Sequence, residues 1–262
     1  MMQNVGGSSQ ISAGHELNFI IKEATIFKHC KINELLFYKE LNNAESKHFA
    51  ENQLLKRFTP ELKGFETING REYVALENLT FGRESGSIID FKLGRSTIHA
   101  SYGEDKTKVI EKKDLKSTSS ALGFRLSGAF IKDDIGIPCE VVKKGSFLTS
   151  LKQKDLIEYT QKLFSSNKQE LNMKPLNDFI IFIEELLSFF ETQNTRSFIS
   201  TSIIAIVDNI SRSYVFRLID FNYVEDLPND VEHDENVIFG IKNLLDMCKK
   251  IQASPNELTE IK

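Results

Sequence analysis

The sequence predicts an α+β chain arranged as two lobes, and three observations carry that expectation. The first 80 residues read as strands around one helix, closed by "LKGFETINGREYVALEN", two alternating runs joined by Asn69-Gly70, a strong short-range hairpin signal. A helix-rich stretch follows. That stretch holds a hairpin of its own, "SFISTSIIAIVD" and "SYVFRLIDF", joined by a turn at 208–212. Two lobes of this kind leave a cleft between them, a common place for a ligand.

Taken in order, "SQISAG" and "LNFIIKEA" alternate as two strands broken at Gly14. "INELLFYKELNN" sets Leu35, Leu36, Tyr38 and Leu41 at helical spacing. After the Asn69-Gly70 hairpin, "SIIDFKLG" is a strand in which Asp90 and Lys92 share one face and Ile89, Phe91 and Leu93 the other. "EDKTKVIEKKDLKSTSS" is a polar helix, and "ALGFRLSGAFI" and "PCEVVKK" are strands. Two helices come next. The second of them, "LNDFIIFIEELLSFFETQ", turns Leu176, Phe179, Ile180, Ile183, Leu187 and Phe190 to one side. "ENVIFGIKNLLDMCKKI" is the closing helix.

Composition narrows the function classes. Three well-separated cysteines, Cys30, Cys139 and Cys248, form no CxxC pair, which argues against a disulfide framework and for a reducing compartment. The first residues show no secretory leader, and the most apolar run, residues 179–190, is 12 long and holds Glu184 and Glu185, too short and too charged to span a bilayer. A cytoplasmic location, with the nucleus as the other candidate, and no membrane partner follow as expectations. Residues 225–236 carry six of the 37 acids and no Lys or Arg, so without them 31 acids face 33 bases. The remainder is mildly basic, without the broad basic field of a nucleic-acid binder.

Four polar placements could do chemistry: Lys22 at a strand end, the Asp90–Lys92 pair, Asp220 after a hydrophobic strand, and the lysines of the polar helix. Each alone has a plainer explanation. Asp220 suits a turn or helix cap, and five lysines interspersed with four acids suit a solvated helix face. Their order along the chain is that of a small-molecule kinase.

The motif PxxxDxKxG of the inositol polyphosphate kinase family is matched by "GSIIDFKLG", Gly86 to Gly94, with Gly86 in place of proline, a change that implies a looser strand entry. The resemblance extends over "SAGH", the Glu34 helix "ELLFY", "VALENLT", "STSSALGFRLSG", "RLIDFNYV" and "NVIFGIKNLLDM", residues 9 to 252. It implies a two-lobe kinase-like fold related to the protein kinase and ATP-grasp architectures. Residues 1–79 would form the N-lobe, with a hinge at 77–79. Residues 80–262 would form the C-lobe, with an inositol-phosphate-binding segment at 95–120.

The resemblance further implies ATP and Mg²⁺ as cofactors. Lys22 would bind the α- and β-phosphates, Glu77, Asn78 and Leu79 the adenine, and Asp90 the ribose. Asp220 would bind the metal, and Lys92 would meet the transferred phosphoryl group. Lys92, Lys106, Lys112, Lys113 and Tyr223 would face the substrate, Tyr223 standing where the family writes histidine. "STSSALG" and "NVIFGIKNLLDM" resemble the inositol hexakisphosphate kinases most, implying a monomeric enzyme that makes a diphosphoinositol phosphate. A multikinase or 3-kinase acting on a hydroxyl of lower inositol phosphates is the alternative, and a non-catalytic inositol-phosphate scaffold is the alternative of another class.

Overall fold

Alternation in the first part of the chain builds a four-stranded antiparallel sheet. A computed structural model describes residues 19–254 except 134, 143–144 and 166–169, so the expected strand at 9–14 and Gly14-His15 lie outside the described residues. Strands β1 (Phe19–Lys22) and β2 (Thr25–His29) form a tight hairpin. They are followed by helices α1 (Ile32–Leu41) and α2 (Phe49–Leu55) and by strands β3 (Leu62–Ile68) and β4 (Arg71–Glu77). The sheet order is β1-β2-β4-β3, and β3 and β4 meet at the Asn69-Gly70 turn as expected.

The second sheet is also antiparallel, ordered β10-β9-β5-β6-β7. Its central strand β5 (Ser87–Leu93) carries the Asp–Lys pair and is followed by α3 (Glu104–Lys116), α4 (Ser119–Leu122), β6 (Phe124–Lys132) and β7 (Pro138–Val142). Helices α5 (Ser146–Ser150), α6 (Gln153–Phe164) and α7 (Met173–Thr192) then precede a short strand β8 (Arg196–Phe198). Strands β9 (Ser202–Asp208) and β10 (Ser213–Ile219) form the second hairpin, and β11 (Val224–Asp226) pairs with β8 before the closing helix α8 (Glu235–Ala253). The run expected as one strand, "SFISTSIIAIVD", is therefore two strands, broken where Ser200 takes a left-handed φ of 67°.

One core joins the sheets. Ile89, Phe91 and Leu93 of β5 pack into it together with α1, α6, α7 and α8. Phe37 of α1 stacks on Phe221 at 4.3 Å between centroids. Of the residues set at helical spacing in α1, Leu35, Tyr38 and Leu41 are buried and Leu36 is exposed, with Phe37 buried beside them. With 20 Phe and no Trp, the core is filled by rings on rings: Phe179 touches Phe91, Phe164 and Phe216. Each such side chain contributes about 1.5–3 kcal/mol through burial.

The acidic stretch 225–236 is tied into the fold. Asp226 pairs with Lys47 and His48, Glu225 with His99, and Asp234 accepts the Phe198 and Val237 amides at the start of α8. No helix among the described residues is long and apolar enough to cross a membrane.

Candidate active site

The face of β5 that carries Asp90 and Lys92 is set by strand parity. Ile88, Asp90 and Lys92 stand on the face opposite the main core and are matched across β9 by Ile206, Ile204 and Ser202. The next strand continues the rows with Val215, Arg217 and Ile219. One end of this face is apolar, where Ile88, Ile206 and Val215 pack with Leu79 of the 77–79 segment. The other end is charged. A bulge on β6 falls beside Asp90, whose partner is Gly128 while Phe91 already pairs with Leu126; such bulges re-aim side chains next to working sites.

Asp220 ends β10 in the left-handed region, at φ 68°. Strain of this kind in a non-glycine residue persists only where the surroundings hold it. Its carboxylate oxygens each take a lysine: Lys28 Nζ donates to Oδ1 at 2.9 Å and Lys92 Nζ to Oδ2 at 3.3 Å. Lys28 also donates to Glu34 at 2.7 Å, and Lys92 to the Ser200 carbonyl at 2.8 Å, which the left-handed turn at Ser200 presents. Glu34, buried in α1, accepts further hydrogen bonds from the Phe221 amide and the Asn222 side chain. Helix α1 thus clamps the segment after β10.

Electrostatics follow from this packing. Burial alone would raise the Asp220 pKa, but Lys28 and Lys92 outweigh it and hold the carboxyl well below its usual range. Burial likewise opposes the Lys28 charge, and Asp220 and Glu34 reverse the balance, raising its pKa. Asp90 differs. Burial pushes its carboxyl up from 3.8 to about 6, against the Lys92 charge, and its Oδ1 is buried without a hydrogen-bond partner.

No group of three or more His, Cys, Asp or Glu among the described residues is arranged to hold a metal. Mg²⁺ does not need one, because it binds through one or two carboxylates together with phosphate oxygens and water. The ionised Asp220 carboxylate fits that use.

Several expectations are corrected. Lys22 does not join the Asp220 group. In the β1–β2 hairpin it stands opposite Thr25 and on the same face as Ile20 and Phe27, with Nζ 4.7 Å from the Phe27 ring centroid. Lys28, on the other face with Ile26, is the lysine that reaches Asp220. Asn78 offers no free side chain, since its amide donates to the Glu23 carbonyl and accepts from Thr80; it ties residues 77–79 to the β1–β2 turn. Glu77 lies 3.7 Å from Arg217. Gly86 does not loosen the strand entry. Its N–H donates to the Arg83 carbonyl at 2.9 Å, and a Cβ would lie 3.0 Å from both Arg83 O and Ile206 Cγ2, so a proline there would remove the bond and crowd the turn.

The residues expected to face the substrate separate in space. Lys106 Nζ lies 3.3 Å from the Tyr102 ring centroid and 5.8 Å from that of Tyr223. Lys113, two helical turns on, keeps that side of α3 and is exposed. Lys112 is six residues beyond Lys106, about 120° round the axis, and is exposed away from Tyr223. Lys31, Tyr102 and His99 were not singled out. Lys31 Nζ donates to the Tyr223 hydroxyl at 3.1 Å, and His99 and Tyr102 rings pack on Tyr223 at 4.5 and 5.2 Å. Burial opposes the Tyr223 phenolate, yet Tyr102 and Lys31 outweigh it and lower its pKa.

The base of α3 is anchored by Asp114, buried against Arg125 at 2.8 Å and accepting the Thr97 amide and hydroxyl. Beside it, three glycines meet backbone to backbone. Gly94 N–H donates to the Gly123 carbonyl at 2.7 Å, and a Cβ on Gly240 of α8 would fall 2.1 Å from that oxygen.

This architecture is that of solved inositol phosphate multikinases. A Saccharomyces cerevisiae multikinase crystallised with ADP and Mn²⁺ superposes with a TM-score of 0.70 at 22% identity, covering 87% of this chain and 99% of that one. A second multikinase structure gives 0.66 at 23% identity, covering 83% and 99%. Residues 73–249 match the family described as inositol polyphosphate kinase. A curated Schizosaccharomyces pombe inositol polyphosphate multikinase is 26% identical over 89% of this chain and 93% of its own length. Arabidopsis thaliana multikinase alpha is 26% identical over 78% of each chain. The chain belongs to the inositol polyphosphate kinase family.

Proposed function

We propose that the protein is an ATP-dependent inositol phosphate kinase of the multikinase kind, transferring the γ-phosphoryl group to a hydroxyl of lower inositol phosphates. The observation that carries this reading is the Asp220 carboxylate held between Lys28 and Lys92 at the charged end of the cleft. In this reading residues 1–79 and 80–262 act as the two lobes. Adenine lies on the apolar end by Leu79, held through the Glu77 carbonyl and the Leu79 amide, and Asp90 accepts from the ribose. Lys28 takes the role expected of Lys22 at the α- and β-phosphates. Asp220 would hold Mg²⁺, which when bound neutralises the phosphate oxygens. Lys92 stabilises the phosphoryl group in flight; a fixed cation suits it because phosphoryl transfer depends on positioning and charge.

The expectation of a hexakisphosphate kinase has less support, because the curated relatives described above are multikinases. The scaffold alternative is disfavoured by the complete Lys28–Glu34–Asp220–Lys92 set, which a binding module does not need. Purified protein incubated with ATP, Mg²⁺ and separately with inositol tris-, tetrakis- and hexakisphosphate decides between them. Products carrying one phosphate more than the lower inositol phosphates supplied, with ADP released, are expected. Turnover of the hexakisphosphate alone would overturn the reading, and no turnover of any would leave the scaffold.

A further inference from the structure

Two ammonium groups from opposite sides of the cleft converge on one pair of phenols. Lys31 precedes α1 and reaches Tyr223, donating at 3.1 Å with Nζ 5.5 Å from the ring centroid. Lys106, on α3, rests on Tyr102 and Tyr223. Neither forms an ion pair among the described residues, and both are exposed. Tyr223 follows Asp220 by three residues, which limits the separation of their Cα atoms to about 10–11 Å. His99 does not compete for a ligand. One ring nitrogen is engaged by Ser101 Oγ and the other by Glu225, both at 2.6 Å, and its ring buttresses Tyr223.

Lys31 also breaks a local rule. It is the N-cap residue of α1 and makes no side-chain cap hydrogen bond. That position favours Ser, Thr, Asp or Asn, and the positive end of the helix dipole repels a cation.

We propose that Lys31 is a specificity-determining residue for the acceptor. With Lys106 it binds one phosphate group of the inositol phosphate, the Tyr223 and Tyr102 hydroxyls donating to the same group. This rests on the inositol phosphate kinase reading. An acceptor lacking a phosphate at that point of the ring leaves both cations on the phenols and binds weakly.

Lys31→Met keeps the aliphatic stem and removes the charge; Lys31→Arg keeps the charge. Steady-state kinetics with a lower inositol phosphate are expected to show acceptor KM rising about tenfold in Lys31→Met. The kcat and the ATP KM should stay within about twofold, and Lys31→Arg should recover most of the loss. The preference between inositol phosphates differing by one phosphate should narrow in Lys31→Met. Lys39→Met, a charge removed from the same helix, should leave acceptor KM unchanged. An unchanged acceptor KM in Lys31→Met overturns the proposal, as does an equal rise in ATP KM or an equal effect of Lys39→Met. Turnover by the unaltered protein with a flat Lys31→Met response removes this inference alone. Absence of turnover by the unaltered protein removes the kinase reading with it.

Discussion

Lys28, Lys92, Glu34 and Asp220 pair with one another inside the protein, whereas around Tyr223 the cations rest on ring faces at the surface. The first group comprises two lysines and two carboxylates, Lys28, Lys92, Glu34 and Asp220, drawn from a strand, a second strand, a helix and a strained turn. It is preorganised, and the loss of one member leaves another buried charge unpaired. The second group, Lys31, Lys106, Tyr102 and Tyr223, is held by a single hydrogen bond from Lys31 and by cation–π contacts, worth about 0.5–1 kcal/mol each at exposed sites. In the proposed reading the first group does the chemistry and the second, more loosely held, selects the acceptor.

The contrast can be broken most severely at Asp220. Asp220→Asn is expected to lower kcat on the order of 10³-fold or more, since it removes the metal carboxylate and the shared acceptor of two lysines. Circular dichroism should show the fold retained. More than a tenth of the activity surviving would take Asp220 out of the chemistry.

The next effect separates the two lysines of the first hairpin. Lys28→Met should cost about 10²-fold in kcat/KM for ATP, while Lys22→Met should stay within about twofold. Equal losses in the two variants would put Lys22 back in the site.

The smallest effect concerns Asp90 and depends on pH. Its carboxyl is raised in the folded protein, from 3.8 to about 6, so its contribution to stability is full below the unfolded value and is lost as pH rises through about 6. Asp90→Asn escapes that loss. In the absence of nucleotide the variant should gain on the order of 1 kcal/mol over the unaltered protein at pH 8, the gain shrinking as pH falls below 6, while its ATP KM rises. Thermal melts across pH 5–8 that show a constant difference would mean that Asp90 is not the titrating group.

The grouping of Asp90, Lys92 and Asp220 is largely legible from the residues. Asp90 and Lys92 share a face because they are two apart on a strand, and Asp220 closes a hydrophobic run before its own turn. The lysine of the first hairpin was misplaced because "FIIKEATIFKH" contains no Gly, Pro or Asn to mark a turn. The chain reverses at Glu23, in a left-handed conformation at φ 49°. Counting the strand through that turn selects Lys22 and leaves "TIFKH" unassigned, although Glu34 six residues after Lys28 is its partner. The Tyr223 group is harder to read. Lys31 and Tyr223 are 192 positions apart, and no local period relates them. Lys112 was included because lysines on one helix look equivalent in sequence, while helical phase separates them in space.

The junction of Gly94, Gly123 and Gly240 has an evolutionary consequence. The segment that supplies Tyr102, Lys106 and the rest of α3 leaves the strand at Gly94 and returns at Gly123, and these two points are bonded to each other and pressed on α8 without any side chain between them. The intervening 28 residues form a cassette with fixed ends. In the proposed reading its length and charge set the acceptor, and they can change while the strand that carries Asp90 and Lys92 stays where it is.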